Sequence, residues 1–124
     1  MISSHRVHTT LPVADIDRSR VFYEGLGYRA AMVEPFAVMF NAGAGSVFTI
    51  TRSSGSSSGS HTQMGVTVED IDAEVAELKR KGVVFEEYDM PGLKTVDGIA
   101  ETGPNRAAWF YDPDRNLIGL IQFG

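Results

Sequence analysis

The sequence predicts an α+β fold made of two tandem βαβββ modules. The first observation behind this prediction is an internal repeat, in which Val13, Asp15, Ile16 and Asp17 recur in the same order as Val68, Asp70, Ile71 and Asp72. The second is that each copy is followed by the same signals, a helix and then short strands. The third is a Ser/Gly-rich segment at 53–60, which reads as a linker. We therefore expect modules at 1–52 and 61–124 that together form one structural domain.

Each module begins with a strand that leads into a helix. Residues 5–13 and 62–68 alternate between apolar and polar side chains, as half-buried strands do. Asp15 and Asp70 follow where an N-cap carboxylate accepts hydrogen bonds from the first helical turn. In the second helix an apolar stripe at helical spacing is formed by Ile71, Val75 and Leu78.

Three short strands are expected after each helix. They are predicted at 28–33, 36–41 and 46–52, and then at 83–88, 106–111 and 117–122. The second module also has an excursion, Met90 to Gly103, that has no counterpart in the first. Because this segment is long and carries several apolar residues, we expect an ordered loop that covers a binding site or a partner subunit.

Composition narrows the classes of function. The chain has 124 residues and a formal net charge of −5, which disfavours a nucleic-acid partner. It has no cysteine, so disulfides, thiolate metal sites and cysteine nucleophiles are excluded. No apolar run approaches the roughly 18 residues of a membrane span, and the first residues show no signal-peptide stretch. We therefore expect a soluble cytoplasmic protein with no membrane partner.

Several motifs point together to one family. They are the Val13-x-Asp15-Ile16-Asp17-Arg18-Ser19 entry to the first helix, Phe22-Tyr23, Leu26-Gly27-Tyr28 and the turn Asp112-Pro113-Asp114. From about His5 to Gln122 the chain resembles the vicinal oxygen chelate superfamily, which includes glyoxalase I, bleomycin-resistance proteins and extradiol dioxygenases. The resemblance implies a curled mixed-sheet cup with the helices outside and a ligand pocket inside. It also implies a homodimer, the commonest symmetric assembly.

In metal-dependent members of this superfamily, four strands each supply one ligand, usually His, Glu or Gln. The matching positions in this chain are His8, Thr49, Gln63 and Gly119. Glycine has no side-chain donor, a threonine hydroxyl is a weak ligand, and the set contains no carboxylate. We therefore expect no metal and no other cofactor, although weak binding of an ion by His8 and Gln63 remains open.

The resemblance and the depleted ligand set favour a metal-free protein that binds a small, partly apolar or aromatic compound. Candidate ligand-binding residues are His8, Thr10, Val47, Thr49, Gln63, Trp109 and Gly119. Arg52 and Arg106 are candidates for orienting an anionic group. The alternative is a glyoxalase- or dioxygenase-type enzyme with a degenerate metal site. A further form of this alternative is a lyase that uses His8 with a substrate-borne or loop-borne group. Glu101 is the nearby carboxylate that would act as a base, and no catalytic residue is assigned.

Overall fold

The computed structural model describes residues 1–53 and 55–124, so Ser54 of the predicted linker lies outside the described residues. The chain divides into two compact units, Met1–Ser56 and Ser57–Gly124. Each unit contains a mixed β-sheet with one α-helix. The predicted α+β class is thereby confirmed. Neither described helix has the length and apolar content that crossing a bilayer requires.

Besides short 3-10 helices at Ile2–Ser4 and Gly43–Gly45, the first unit contains four strands and one α-helix. They are β1 (Thr9–Val13), α1 (Ile16–Gly25), β2 (Arg29–Glu34), β3 (Ala37–Asn41) and β4 (Val47–Arg52). The strand order is β1-β4-β3-β2, with β1 parallel to β4 and the other pairs antiparallel. Asp15 caps α1 as predicted, since its carboxylate accepts from the Arg18 amide at 3.1 Å.

Aromatic packing holds α1 on this sheet. The fully buried Tyr23 ring lies 5.8 Å from the Phe40 ring and 5.2 Å from the Phe48 ring, measured between centroids. Since side chains alternate along a strand, the residues next to Phe48 face the other side of the sheet. That opposite face is where the candidate residues of β4 lie.

The second unit contains the second helix and a larger sheet. Its elements are β5 (Thr62–Thr67), α2 (Ile71–Arg80), β6 (Asp89–Met90), β7 (Leu93–Val96), β8 (Ile99–Thr102), β9 (Asn105–Tyr111) and β10 (Leu117–Gln122). The strand order is β5-β10-β9-β8-β7-β6, with β5 parallel to β10. Asp70 caps α2 through the Ala73 amide at 3.1 Å. The predicted stripe on this helix is confirmed, because Ile71, Val75 and Leu78 are all buried.

The segment between α2 and β9 differs from the prediction. The expected strand at 83–88 is reduced to an isolated bridge between Phe85 and Phe110. The expected long loop is instead a meander of three strands, β6 to β8, that extends the sheet. A two-residue turn joins β7 to β8, in which Asp97 and Gly98 have φ of 53° and 86°. Asp-Gly suits this left-handed geometry, which explains why the chain forms a hairpin here.

Part of the Ser/Gly-rich segment is anchored to the second unit. The Ser57 hydroxyl hydrogen-bonds to the Asn116 side chain, and the Tyr111 hydroxyl donates to the Gly59 carbonyl at 2.6 Å. The Arg115 guanidinium lies 4.1 Å from the centre of the Tyr111 ring. The second unit therefore begins at Ser57, inside the predicted linker.

Candidate functional site

The seven candidate ligand-binding residues divide between the units. His8, Thr10, Val47 and Thr49 lie in the first unit, and Gln63, Trp109 and Gly119 lie in the second. The positions that match the superfamily's metal ligands therefore form one pair in each unit. Within each unit, strand pairing determines which of these residues are neighbours.

In the first unit, Thr49 lies at the centre of one row of side chains. Its partner on β1 is Thr10 and its partner on β3 is Met39. Val47 and Thr49 are half-buried, whereas the alternate residues Phe48 and Ile50 are fully buried under α1. This face combines threonine hydroxyls with apolar side chains, a lining common in ligand sites.

His8 lies outside the strand in which it was expected. β1 begins at Thr9, and His8 before it is exposed. The reason is that β1 is an edge strand whose single partner, β4, starts at Val47. Thr9 already pairs with Phe48, so His8 would reach only the first residue of β4.

In the second unit, Gly119 lies between Gly65 of β5 and Trp109 of β9 in one row across the sheet. The half-buried indole of Trp109 donates from Nε1 to the Thr62 hydroxyl at 3.1 Å. Its ring also meets the Tyr88 ring edge-on, with centroids 5.6 Å apart. Burial is the main cause that raises the pKa of the Tyr88 phenol, with Tyr111 and Glu86 adding to it.

The surroundings of Gly119 do not fit a metal ligand. A β-carbon there would lie 3.1 Å from the Thr62 methyl group and 3.2 Å from the Trp109 Nε1. A side chain long enough to reach a metal would have to displace the indole. Within residues 1–53 and 55–124, no three His, Asp or Glu side chains are grouped as metal ligands. Together with the neutral Thr49 hydroxyl, this donor set does not match a four-ligand metal site.

Gln63 has an unusual environment that the sequence did not reveal. The pairing of β10 with β5 steps from Leu117–Thr62 to Ile118–Met64, which leaves Gln63 without a partner residue on β10. Its Oε1 atom is buried and has no hydrogen-bond partner in the described part of the chain. Both features depend on strand register, so residue type alone could not predict them.

The meander contributes to an open groove of about 640 Å³ in the second unit. The apolar residues of this segment, which we expect to cover a binding site or a partner subunit, line the groove. Two of them, Met90 and Val96, are 50% and 66% exposed. Part of the groove's charged lining is a cluster of Arg106, Asp72 and Glu101. The guanidinium donates to both carboxylate oxygens of Asp72, at 2.7 and 3.0 Å, and to Glu101 at 3.1 Å.

These ion pairs involve two residues with predicted roles, Arg106 in orienting an anionic group and Glu101 as a base. The hydrogen bonds to Asp72 raise the pKa of Arg106 and lower the pKa of Asp72. Arg106 is therefore occupied by carboxylates and is not a free anion-binding group. Glu101 pairs with Arg106 across β8 and β9, three residues from Trp109, so strand alternation places it on the opposite face from the indole. Glu101 therefore does not share a face with Trp109, and its role as a base stays a prediction that this geometry does not support. The other candidate for orienting an anionic group is Arg52, whose guanidinium carbon lies 5.7 Å from the centre of the Phe36 ring.

Comparisons with known proteins agree with the geometry. One protein of similar fold is TnmS3, an antibiotic binding protein from Streptomyces sp. CB03234. Its TM-score is 0.71 and its sequence identity 25%, and the alignment covers 100% of this chain and 99% of TnmS3. A bleomycin-binding protein solved with bleomycin has a TM-score of 0.74 and 19% identity, with 98% of this chain and 100% of the other covered. FosX, a fosfomycin resistance protein from Listeria monocytogenes, has a TM-score of 0.72 and 19% identity, with 98% and 94% covered.

The fold of this chain is therefore glyoxalase-like. Among curated proteins no sequence matches the chain significantly. A family model does match, over residues 5–120, and its description is the glyoxalase/bleomycin resistance protein/dioxygenase superfamily. The match spans both units and includes both capped helices. The chain belongs to the glyoxalase/bleomycin resistance protein/dioxygenase superfamily.

Proposed function

We propose that this protein binds a small, partly apolar or aromatic compound and does so without a metal ion. The observation that carries the proposal is the face of the second unit on which Trp109 lies beside two glycines. No described atom lies within 4 Å of the position a β-carbon would take at Gly65. The face therefore offers an aromatic wall and open space, which suits a flat, largely apolar ligand.

The proposed contacts in the second unit are Trp109, Gly119 and Gln63. Those in the first unit are His8, Thr10, Val47 and Thr49, which offer an imidazole, two hydroxyls and an apolar surface. Similarity to antibiotic-binding proteins supports the proposal, since TnmS3 and the bleomycin-binding protein are described as binding antibiotics. Absence of a metal is supported by the neutral donors and by the indole that crowds Gly119.

We also propose that the protein is a cytoplasmic homodimer that binds no nucleic acid. The net charge of −5 supports the last point because it opposes the phosphate backbone. The chain has no cysteine, which suits a reducing compartment.

Fluorescence of Trp109, the only tryptophan, provides a direct test. Bleomycin and a panel of small aromatic compounds are titrated with and without excess EDTA. We expect a saturable change in emission for at least one of them, with the same Kd in both conditions. The variant Trp109→Phe is the control for the signal, and its binding is then followed by NMR.

Two results would contradict the proposal. One is the loss of binding when EDTA is added, accompanied by about one equivalent of a divalent metal in elemental analysis of the dialysed protein. The other is no saturable binding by any compound of the panel. Turnover of a thiol-conjugated aldehyde or a catechol that EDTA abolishes would support the enzyme alternative instead.

A further inference from the structure

We infer that Gln63 selects the ligand, by accepting a hydrogen bond from an N–H or O–H group carried on a planar aromatic ring. The inference rests on the proposed binding function and adds the chemical class of the ligand. It starts from the side-chain carbonyl oxygen of Gln63, which is buried and has no hydrogen-bond partner among the described residues.

An unpaired buried acceptor is unfavourable, because folding removes its water without replacing the hydrogen bond. Of the two polar ends of the Gln63 amide, the carbonyl oxygen is the one found buried and unpaired. The missing partner is therefore a donor. A ligand that brings an N–H or O–H group recovers the lost hydrogen bond, and a ligand without one does not.

The position of Gln63 connects this oxygen to the aromatic wall. Met64 is buried in the core, so strand alternation places its neighbours Gln63 and Gly65 on the opposite face. Thr62 also contacts that face, since its hydroxyl accepts from the Trp109 Nε1. The register step at Gln63 explains how two successive residues share one face, as they do at a β-bulge.

Trp109 does not itself satisfy Gln63. Its single N–H group is already donated to Thr62 at 3.1 Å. A donor group on a ring that lies against Trp109 over Gly65, the face that Gln63 shares, would supply the missing partner.

The substitution Gln63→Met tests the inference through two readouts that move in opposite directions. Methionine is close in size and has no strong acceptor, so the unpaired oxygen is removed. We expect the Tm of the ligand-free variant to rise by about 3 °C. The matched control is Gln122→Met, whose oxygen accepts from the Ile71 amide at 2.8 Å, and its Tm is expected to fall.

Indole and 1-methylindole serve as probes, because they differ in a single N–H donor. NMR titration at millimolar concentrations is expected to show wild-type protein binding indole about tenfold more tightly. In Gln63→Met the two Kd values are expected to be equal. A preference for indole that persists in this variant would reflect ligand size and would overturn the inference.

The remaining outcomes separate this inference from the proposed function. Equal affinity of both probes for wild-type protein overturns donor selection but leaves small-molecule binding intact. A fall in Tm for Gln63→Met as large as that for Gln122→Met would show that the Gln63 oxygen has a partner in the ligand-free protein, and would overturn the inference. Failure of these probes and of the whole compound panel to bind overturns the proposed function, and the inference with it.

Discussion

At the scale of single residues, Gly65 and Gly119 are adjacent in the sheet but have different surroundings. Gly65 is exposed, with no described atom within 4 Å of its missing β-carbon. Gly119 is buried, and the same position there is crowded by Thr62 and by Trp109, the latter at 3.2 Å. The two glycines therefore contribute differently, Gly65 by leaving space and Gly119 by letting the indole lie against the strand.

This difference predicts unequal effects of one added methyl group. Gly119→Ala is expected to lower the free energy of unfolding by about 1–3 kcal/mol, because the Thr62 methyl group and the indole must both shift and their hydrogen bond is distorted. Gly65→Ala, the matched control, is expected to stay within about 0.5 kcal/mol of wild type. Urea denaturation measures both values, and equal destabilisation by the two substitutions would contradict the account.

At the scale of elements, Arg106 joins α2 to the sheet. It lies on β9 and contacts Asp72 in the first turn of α2 and Glu101 on the neighbouring strand. Asp17 occupies the same first-turn position in α1. The repeat thus places a carboxylate at this position of each helix, and Arg106 pairs with the one in α2.

The contact predicts a pH-dependent effect that is specific to Asp72. The hydrogen bond from Arg106 lowers the pKa of Asp72 in the folded protein. A carboxylate with a lowered folded-state pKa stabilises the protein above its unfolded pKa, about 3.9, and loses that contribution as the pH falls through the folded value. Asp72→Asn is therefore expected to be less stable than wild type at pH 7.

The difference between Asp72→Asn and wild type should shrink as the pH falls below about 3.9. High salt should reduce it as well, since Asp72 is 66% exposed and screened by solvent ions. Asp17→Asn is the control for loss of a first-turn charge alone, and we expect it to show a smaller effect at pH 7. Thermal unfolding between pH 3 and 7 measures both variants; a pH-independent Asp72→Asn difference would contradict the assignment.

At the scale of the whole molecule, we predict that the protein is a homodimer. A two-fold dimer is the commonest assembly of a soluble chain, and exposed apolar side chains are available for an interface. They include Met32, Val33, Phe36 and Val96, each about half or more exposed. Sedimentation velocity is expected to give twice the chain mass of 13.5 kDa. A particle of 13.5 kDa at micromolar concentration would contradict the prediction.

The elements that the sequence determined by itself are those specified by local interactions. Asp15 and Asp70 cap their helices through amides three residues away, so the caps were visible in the chain itself. The α+β class and most strands were likewise predicted from alternation and the repeat. The meander also had a local signal, Asp97-Gly98 between apolar residues, which favours a two-residue hairpin. The Gly and Pro residues of this long segment favour a loop, which masks the short strands on either side of that turn.

Tertiary structure alone decided the features that depend on partners distant in sequence. Arg106 and Asp72 are 34 positions apart, so the sequence alone did not show that they pair with each other. Likewise, only the register of β5 against β10 leaves the Gln63 oxygen without a partner, and only the pairing of β9 with β10 brings the Trp109 indole to Gly119. Composition and spacing identify which residue types are present along a strand. Which atoms they meet is set by strand register and side-chain packing, which are collective properties of the folded chain.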